Sequence, residues 1–515
     1  MTRTEETYNV PRGAAYLTST QVVLYATYFI FYALLTRVLN PAEVGYVGIL
    51  ASAQAVFTTI TSLSLPSAAT RFISASLAKG DIEAAGGVAR TVLKISIVSA
   101  LAGLFLGGIL SPLAVTVFSG PTNLGSILFV TFLAAFFLDL VTVYTGFFLG
   151  VGRYAATLYQ NILYVPLSRG LGLIFALKMG VIGIVSGWAV GAFAALALSV
   201  YLWHSKFPRR TSYPARPLLA FSLPVLASSI IILAQQWGDI WVLQGFTANL
   251  ATTGPYYIVV SSVTFLSILW IPLSQAIYPA LSASHSTGQA GAVSDRLAMA
   301  FRLTNLAVLP TGAALAAVSP TALYLVYGPT YMKEALTLSI LALAAVFTAQ
   351  GALLFTTLQA VGRTRQYFEI ALASTLVYVG IVAVGVEFFQ IGTLAGAIGR
   401  ALLAILIVLL ARWSLHHTIS AHTTAAMGKA ILLGLGSGLP LLLVDQFFLR
   451  VNSFGFQPVF QLAVLAGLFV AAFAFVSRHL RVFHHGDFAI IRDALPRRLQ
   501  PYLKIVQRLI IKEKQ

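Results

Sequence analysis

Four charged residues stand where a charge costs most. Of fifteen aspartates and glutamates in the 515-residue chain, only Asp139 and Asp239 fall well inside long apolar runs, and Arg169 and Arg400 are the matching basic residues. Within a membrane span, an ionisable side chain is expensive and is a functional candidate by default. At about 1.5 Å of rise per residue, Asp139 lies roughly 21 Å along its helix from Arg153, and Arg169 is at a similar depth. Asp239 and Arg400 are also roughly level with each other, about 18–22 Å from the inner ends of their helices. Two readings stay open. In one, the four residues form two buried ion pairs, each locking one half of the molecule. In the other, Arg169 and Arg400 line a central cavity and bind an anionic lipid headgroup, because a guanidinium stays charged and grips phosphate bidentately. Asp239, in Gln235-Gln-Trp-Gly-Asp239, is then a candidate for a coupling proton or sodium ion, with Asp139 as a second. Gln235, Tyr28 and Tyr32 complete the candidate cavity, where tyrosine rings, including Tyr256 and Tyr257, can stack on sugars. Arg71, Arg153 and Arg363 flank inner helix ends, where they either anchor topology or capture a headgroup from the inner leaflet.

Other chemistry is excluded or weak. The absence of cysteine removes thiolate nucleophiles and thiolate metal sites. The histidines fall in polar segments, where a solvated role outweighs metal binding. No Walker A run is present, so ATP is not bound through a P-loop of this chain. Neither a metal nor an organic cofactor is expected, and the reading is not that of an enzyme.

The elements that position these residues are membrane helices. Hydrophobic residues make up 58% of the chain and charged residues 9%, with a mean hydropathy of +0.87. A soluble domain carries about a quarter charged residues, so the chain is expected to be an all-α membrane protein. Spans of about 20 residues fit at roughly 15–36, 43–65, 88–110, 126–148, 157–178, 181–203, 217–244, 255–280, 297–317, 334–358, 367–386, 391–411, 427–445 and 457–477. That is about fourteen helices, split at turn-rich pieces such as Ser119-Gly-Pro-Thr122 and Thr252-Thr-Gly-Pro255. The net charge of +17 reflects lysines and arginines gathered in alternate loops rather than nucleic-acid binding. Their alternation places both termini in the cytoplasm of a multi-pass cell-membrane protein. Met1–Gly13 is polar, and no removable signal peptide is expected. The tail 478–515 is basic, with Ile490, Ile491, Leu495, Leu499, Leu503, Val506 and Ile510 at helical spacing. It reads as an amphipathic helix on the anionic inner leaflet.

An internal duplication organises the spans. Ser111-Pro-Leu-Ala114 followed by Gly120-Pro-Thr122 reappears as Ser319-Pro-Thr-Ala322 followed by Gly328-Pro-Thr330. Val151-Gly-Arg153 recurs as Val361-Gly-Arg363, Ile182–Gly187 as Ile391–Gly396, and Gly45 as Gly254. The offset is about 209 residues throughout. Six helices separate the copies, so the two repeats run parallel, an arrangement of transporters with the substrate path between two lobes. The expected divisions are an N-lobe at 1–204, a basic linker at 205–216, a C-lobe at 217–412, two further helices at 413–477 and the tail at 478–515.

With two six-helix lobes and two extra helices, the chain resembles the oligosaccharidyl-lipid and polysaccharide flippases of the multidrug/oligosaccharidyl-lipid/polysaccharide exporter superfamily. The resemblance runs through Leu35-Thr-Arg-Val-Leu-Asn-Pro41 with Gly45 and Tyr46, Leu65-Pro66, Arg71-Phe72 and Lys79-Gly80-Asp81. It continues in Phe221-Ser-Leu-Pro224, Gly238-Asp239, Tyr278-Pro279, Tyr327-Gly328 with Tyr331, and Ala360-Val-Gly362. It implies export of a lipid-linked oligosaccharide by alternating access. The implied partners are the bilayer, a polyprenyl- or dolichyl-diphosphate-linked glycan and the enzymes that assemble it. A multidrug and toxin extrusion antiporter shares the two-lobed plan and is the alternative. For that function, cavity acids would matter more than arginines.

Overall fold

A computed structural model describes residues 10–117, 124–203, 212–286, 290–416, 425–451, 457–480 and 482. The Ser119–Thr122 turn, most of the basic linker and the proposed tail helix lie outside the described residues. Every element among the described residues is helical. In chain order they are α1 (Val10–Val38), α2 (Pro41–Ser62), α3 (Leu65–Ala78), α4 (Ile82–Val117), α5 (Leu124–Gly150), α6 (Tyr154–Met179), α7 (Val181–Leu202), α8 (Ala215–Thr247) and α9 (Leu250–Thr264). A 3-10 turn, Phe265–Leu269, leads to α10 (Ile271–Ser286), α11 (Ala290–Ala317) and α12 (Ser319–Tyr327). A second 3-10 turn, Pro329–Glu334, leads to α13 (Ala335–Ala360), α14 (Thr364–Glu387), α15 (Thr393–Ser414), α16 (Ala425–Val451) and α17 (Gln457–His479). Thirteen stretches among the described residues are long and apolar enough to cross a membrane, and Ala463–His479 is a shorter apolar helix.

Local chemistry sets the boundaries. Asn40 caps α2: its side chain accepts from Glu43 N at 3.0 Å, and Glu43 Oε2 accepts from Asn40 N at 3.0 Å, with Pro41 in the first turn. The helix ends early because Leu63 and Ser64 both adopt left-handed backbone, φ 48° and 53°. Two expectations change here. Between the spans expected at 43–65 and 88–110 the chain forms a helix of its own, α3, packed against α4, α5 and α8. The span expected at 255–280 is not one helix, because Pro272 in the first turn of α10 lacks the N–H that would continue the helix behind it. Its membrane stretch is Leu250–Leu269, and Thr252–Pro255 lies inside α9 rather than in a turn.

The chain forms two compact units, 1–258 and 259–515, parted within α9 rather than at the linker. In the first, a buried cluster gathers Leu65, Ile73, Val88, Val92, Phe147 and Phe148. In the second, Leu297, Phe301, Leu353, Leu358, Ile370 and Val408 form its counterpart. Val88, Val92 and Phe148 stand about 209–210 residues before Leu297, Phe301 and Leu358, so the repeat extends to the packed interior. The hairpins match as well. Gly152 and Gly362 turn with φ of 74° and 77°, a left-handed geometry that suits glycine. Arg153 then donates from Nη1 to Leu202 O at 2.9 Å, and Arg363 from Nη1 to Ser414 O at 2.6 Å.

A reciprocal contact lies inside the first unit. A methyl on Gly45 would overlap Leu250 O, and a methyl on Gly254 would overlap Pro41 O. Pro41 and Leu250 are themselves about 209 residues apart, so two repeat-related pairs exchange partners. Small residues are what allow membrane helices to approach this closely.

Candidate substrate-binding site in the first unit

Arg169 sits half-buried on α6, and its nearest neighbours are rings. Its guanidinium carbon stands 4.6 Å from the Trp188 ring centre, 5.2 Å from Tyr28 and 5.2 Å from Phe31. Tyr28 and Phe31 come from α1, three residues apart and so on one face; Trp188 comes from α7. Nε and Nη1 of Arg169 meet no hydrogen-bond partner, and among the described residues no carboxylate pairs with the side chain. Each cation–π contact returns about 0.5–2 kcal/mol, and insertion of an arginine at mid-membrane costs about 2.5–3.5 kcal/mol on translocon scales. Three rings therefore offset the burial. Unlike a carboxylate, they leave the positive charge uncancelled.

A file of aromatics extends from this box. Tyr28 stacks on Tyr32 with ring centres 6.2 Å apart, and Tyr32 meets Tyr257 edge-on at 5.6 Å, their hydroxyls 3.0 Å apart. Tyr257 in turn stacks on Trp237 at 6.2 Å. The structure thus joins Arg169, Tyr28, Tyr32 and Tyr257, all named from the sequence. Phe31, Trp188 and Trp237 were missed, since an aromatic in an apolar helix carries no sequence mark that separates site from packing.

The remaining candidates are placed differently. Asp239, fully buried on α8, accepts hydrogen bonds from the Tyr256 hydroxyl and from Ile240 N (2.9 Å). Gln235 is half-buried on the same helix. Asp139 is fully buried on α5 without a hydrogen-bond partner for either oxygen, so the Asp139–Arg169 ion pair allowed by their matching depth does not form. Depth along two helices leaves the facing of each side chain free, and these two face different neighbours. Arg400 is half-buried on α15 in the second unit. Arg153 and Arg363 are tied to the carbonyl ends of their own hairpins, where they also complement the helix dipoles. Arg71 lies over Phe221 (4.4 Å) and Phe72 (5.7 Å). One further polar knot had no sequence signal: buried Glu334 Oε2 accepts from Thr337 at 2.9 Å and Thr393 at 2.7 Å in the second unit.

Thirteen candidate spans among the described residues mark a multi-pass membrane protein, and its fold is similar to that of MOP superfamily transporters. The lipid II flippase MurJ in its inward closed conformation is similar at 14% identity and a TM-score of 0.69, over 90% of this chain and 99% of that one. An inward-facing multidrug resistance MATE family transporter is similar at 18% identity and a TM-score of 0.64, over 77% and 94%. A MOP superfamily transporter from Pyrococcus furiosus, described as having a binding pocket of reverse polarity, is similar at 16% identity and a TM-score of 0.59, over 79% and 96%. No curated protein matches the chain in sequence. The model of the polysaccharide biosynthesis protein family matches residues 10–285, more than half of the chain, and the chain belongs to that family.

Proposed function

We propose that this protein is a flippase that moves a lipid-linked oligosaccharide from the inner to the outer leaflet of the cell membrane by alternating access of its two lobes. The observation that carries this reading is Arg169, a cation held in the membrane by three aromatic faces with no carboxylate to cancel it. In this reading Arg169 meets the diphosphate of a polyprenyl- or dolichyl-linked glycan, and Arg400 supplies a second cation. Tyr28 and Tyr32 stack on sugar rings, which present apolar faces to aromatics, and Gln235 offers an amide to their hydroxyls. Both termini lie in the cytoplasm, and the enzymes that build the glycan deliver it there. A cavity for organic cations would place the uncancelled charge on an acid, which is the antiporter's requirement.

Complementation tests the reading. Cells lacking the gene and carrying Arg169→Ala should show about ten- to a hundred-fold less surface glycan, the factor expected for one lost charged hydrogen bond. Lipid-linked oligosaccharide should collect in the inner leaflet. Normal surface glycan together with new sensitivity to cationic dyes would instead establish the antiporter.

A further inference from the structure

The exposed faces of α3 and α4 differ in kind. On α4, the residues left uncovered at helical spacing include Val98, Leu101, Phe105 and Ile109, a surface suited to lipid tails. On α3, Leu65, Ala68, Ala69 and Ile73 are buried, while Ser67, Arg71, Ala75 and Lys79 are exposed at every fourth position. A stripe of small, hydroxylated and basic side chains is costly against hydrocarbon and favourable against water. This face of α3 therefore borders an aqueous space.

Arg71 is held on that face without being neutralised. Its guanidinium carbon lies 4.4 Å from the ring centre of Phe221 on α8 and 5.7 Å from that of Phe72. Among the described residues it makes no hydrogen bond and no ion pair. The rings beneath it are fixed in turn: Phe72 meets Phe221 edge-on at 6.0 Å and Tyr213 at 6.0 Å. Tyr213, just before α8, is fastened through its backbone. The Thr91 hydroxyl of α4 donates to Tyr213 O at 2.9 Å and accepts from Tyr213 N at 3.3 Å, and Gly87 lets residues 212 and 213 lie close. A guanidinium stacked by its face keeps the N–H groups of its edge free for a planar, bidentate grip on phosphate. Holding it there beforehand raises affinity, because less freedom is lost on binding. At the repeat offset Arg71 and Lys79 correspond to Ala280 and Gly288, so the arrangement belongs to one copy alone.

We propose that Arg71 is an entry site that takes the diphosphate of a polyprenyl lipid from the inner leaflet before it reaches Arg169. Lys79, about 12 Å nearer the cytoplasmic end of the same stripe, draws the headgroup in as a point charge, and Arg71 grips it. The inference rests on the flippase reading for its cargo and for the end of α3 that faces the cytoplasm. The aqueous face and the free guanidinium stand without that reading.

Titration of the full-length protein with polyprenyl diphosphate, in nanodiscs of phosphatidylcholine, tests the site, with bound lipid counted by native mass spectrometry. Arg71→Gln should weaken binding about tenfold or more, the scale of lost hydrogen bonds to a charged group. Arg71→Lys should recover only part of it, because the charge returns without the fork. Phe221→Leu should weaken binding about threefold and have no further effect in the Arg71→Gln background, which separates presentation of Arg71 from general support of the fold. Arg365→Gln, which removes an exposed arginine paired with Glu369 in the second unit, should leave binding unchanged. Undiminished binding in Arg71→Gln would overturn the entry site and leave the flippase reading standing. Wild-type protein that binds no polyprenyl diphosphate would overturn both. Equal displacement by phosphatidylglycerol at the same mole fraction would overturn the assignment and make Arg71 a seat for bulk anionic lipid.

Discussion

At the register of the repeat, α6 carries Arg169 in the first copy, while α14 has Tyr378 or Val379 in the second. Where α5 carries Asp139, α13 has Thr348 or Ala349; where α15 carries Arg400, α7 has Gly191. The hinges of the two copies, by contrast, are the same: Gly152 and Gly362 share one left-handed turn, and Arg153 and Arg363 each close a hairpin on its last carbonyls. Duplication kept the parts that shape helices and let the charged parts diverge. That pattern separates scaffold from chemistry without an alignment. A residue present in both copies serves the fold, and a buried charge present in one copy needs a reason particular to that copy.

The sharpest way to break this division is steric. Gly254→Val should cost about 3 kcal/mol, the upper end of overpacking, because its side chain must displace Pro41 O. Thermal unfolding followed by size-exclusion chromatography should show little folded protein. Gly380→Ala, with nothing within 4 Å of the added methyl, should unfold at the wild-type temperature. Equal behaviour of the two variants would remove the helix contact from the argument.

Arg169→Ala comes next. Export should fall far more than stability, because the arginine has no carboxylate to strand. Glu334→Ala should do the reverse in the second unit. It strips the acceptor from Thr337 and Thr393, and unpaired buried donors cost about 1–3 kcal/mol. The measured melting temperature should drop while transport per folded molecule holds.

The smallest effects belong to the shared arginines. Arg153→Ala and Arg363→Ala should each lower stability by about 1 kcal/mol, and the double variant should add to within about 0.5 kcal/mol. A selective loss of export in either single variant would instead make that arginine a headgroup-capturing residue.

Much of this is legible in the sequence alone. Apolar runs of spanning length marked the helices, and glycines with fixed neighbours marked the duplication through Gly45, Gly152, Gly254 and Gly362. What periodicity could not reveal was where one long apolar run changes direction: α9, its 3-10 turn and α10 are continuous in hydropathy, and only Pro272 hints at the break. The site was half-legible for a related reason. Charge in an apolar run is conspicuous, so Arg169 and Asp139 stood out, but their depths matched and their facings did not, and an ion pair needs both. Phe31 and Trp188 were invisible because the composition already holds 34 phenylalanines and 6 tryptophans, nearly all of them ordinary packing in such a chain.

The exchange of partners between Gly45–Leu250 and Gly254–Pro41 has the form of an isologous contact, in which one patch meets a copy of itself across a two-fold axis. Within a single chain there is no second subunit to provide that copy; the duplicated half provides it. A half-length forerunner carrying one such glycine would have met its twin through this patch, and fusion of two genes would have preserved the contact while releasing each half to change alone. Every substitution that now arises on one side of the axis is judged against a partner that no longer changes with it. That is how a symmetric contact persists in a chain whose two copies differ as much as Arg169 on α6 and Tyr378 on α14.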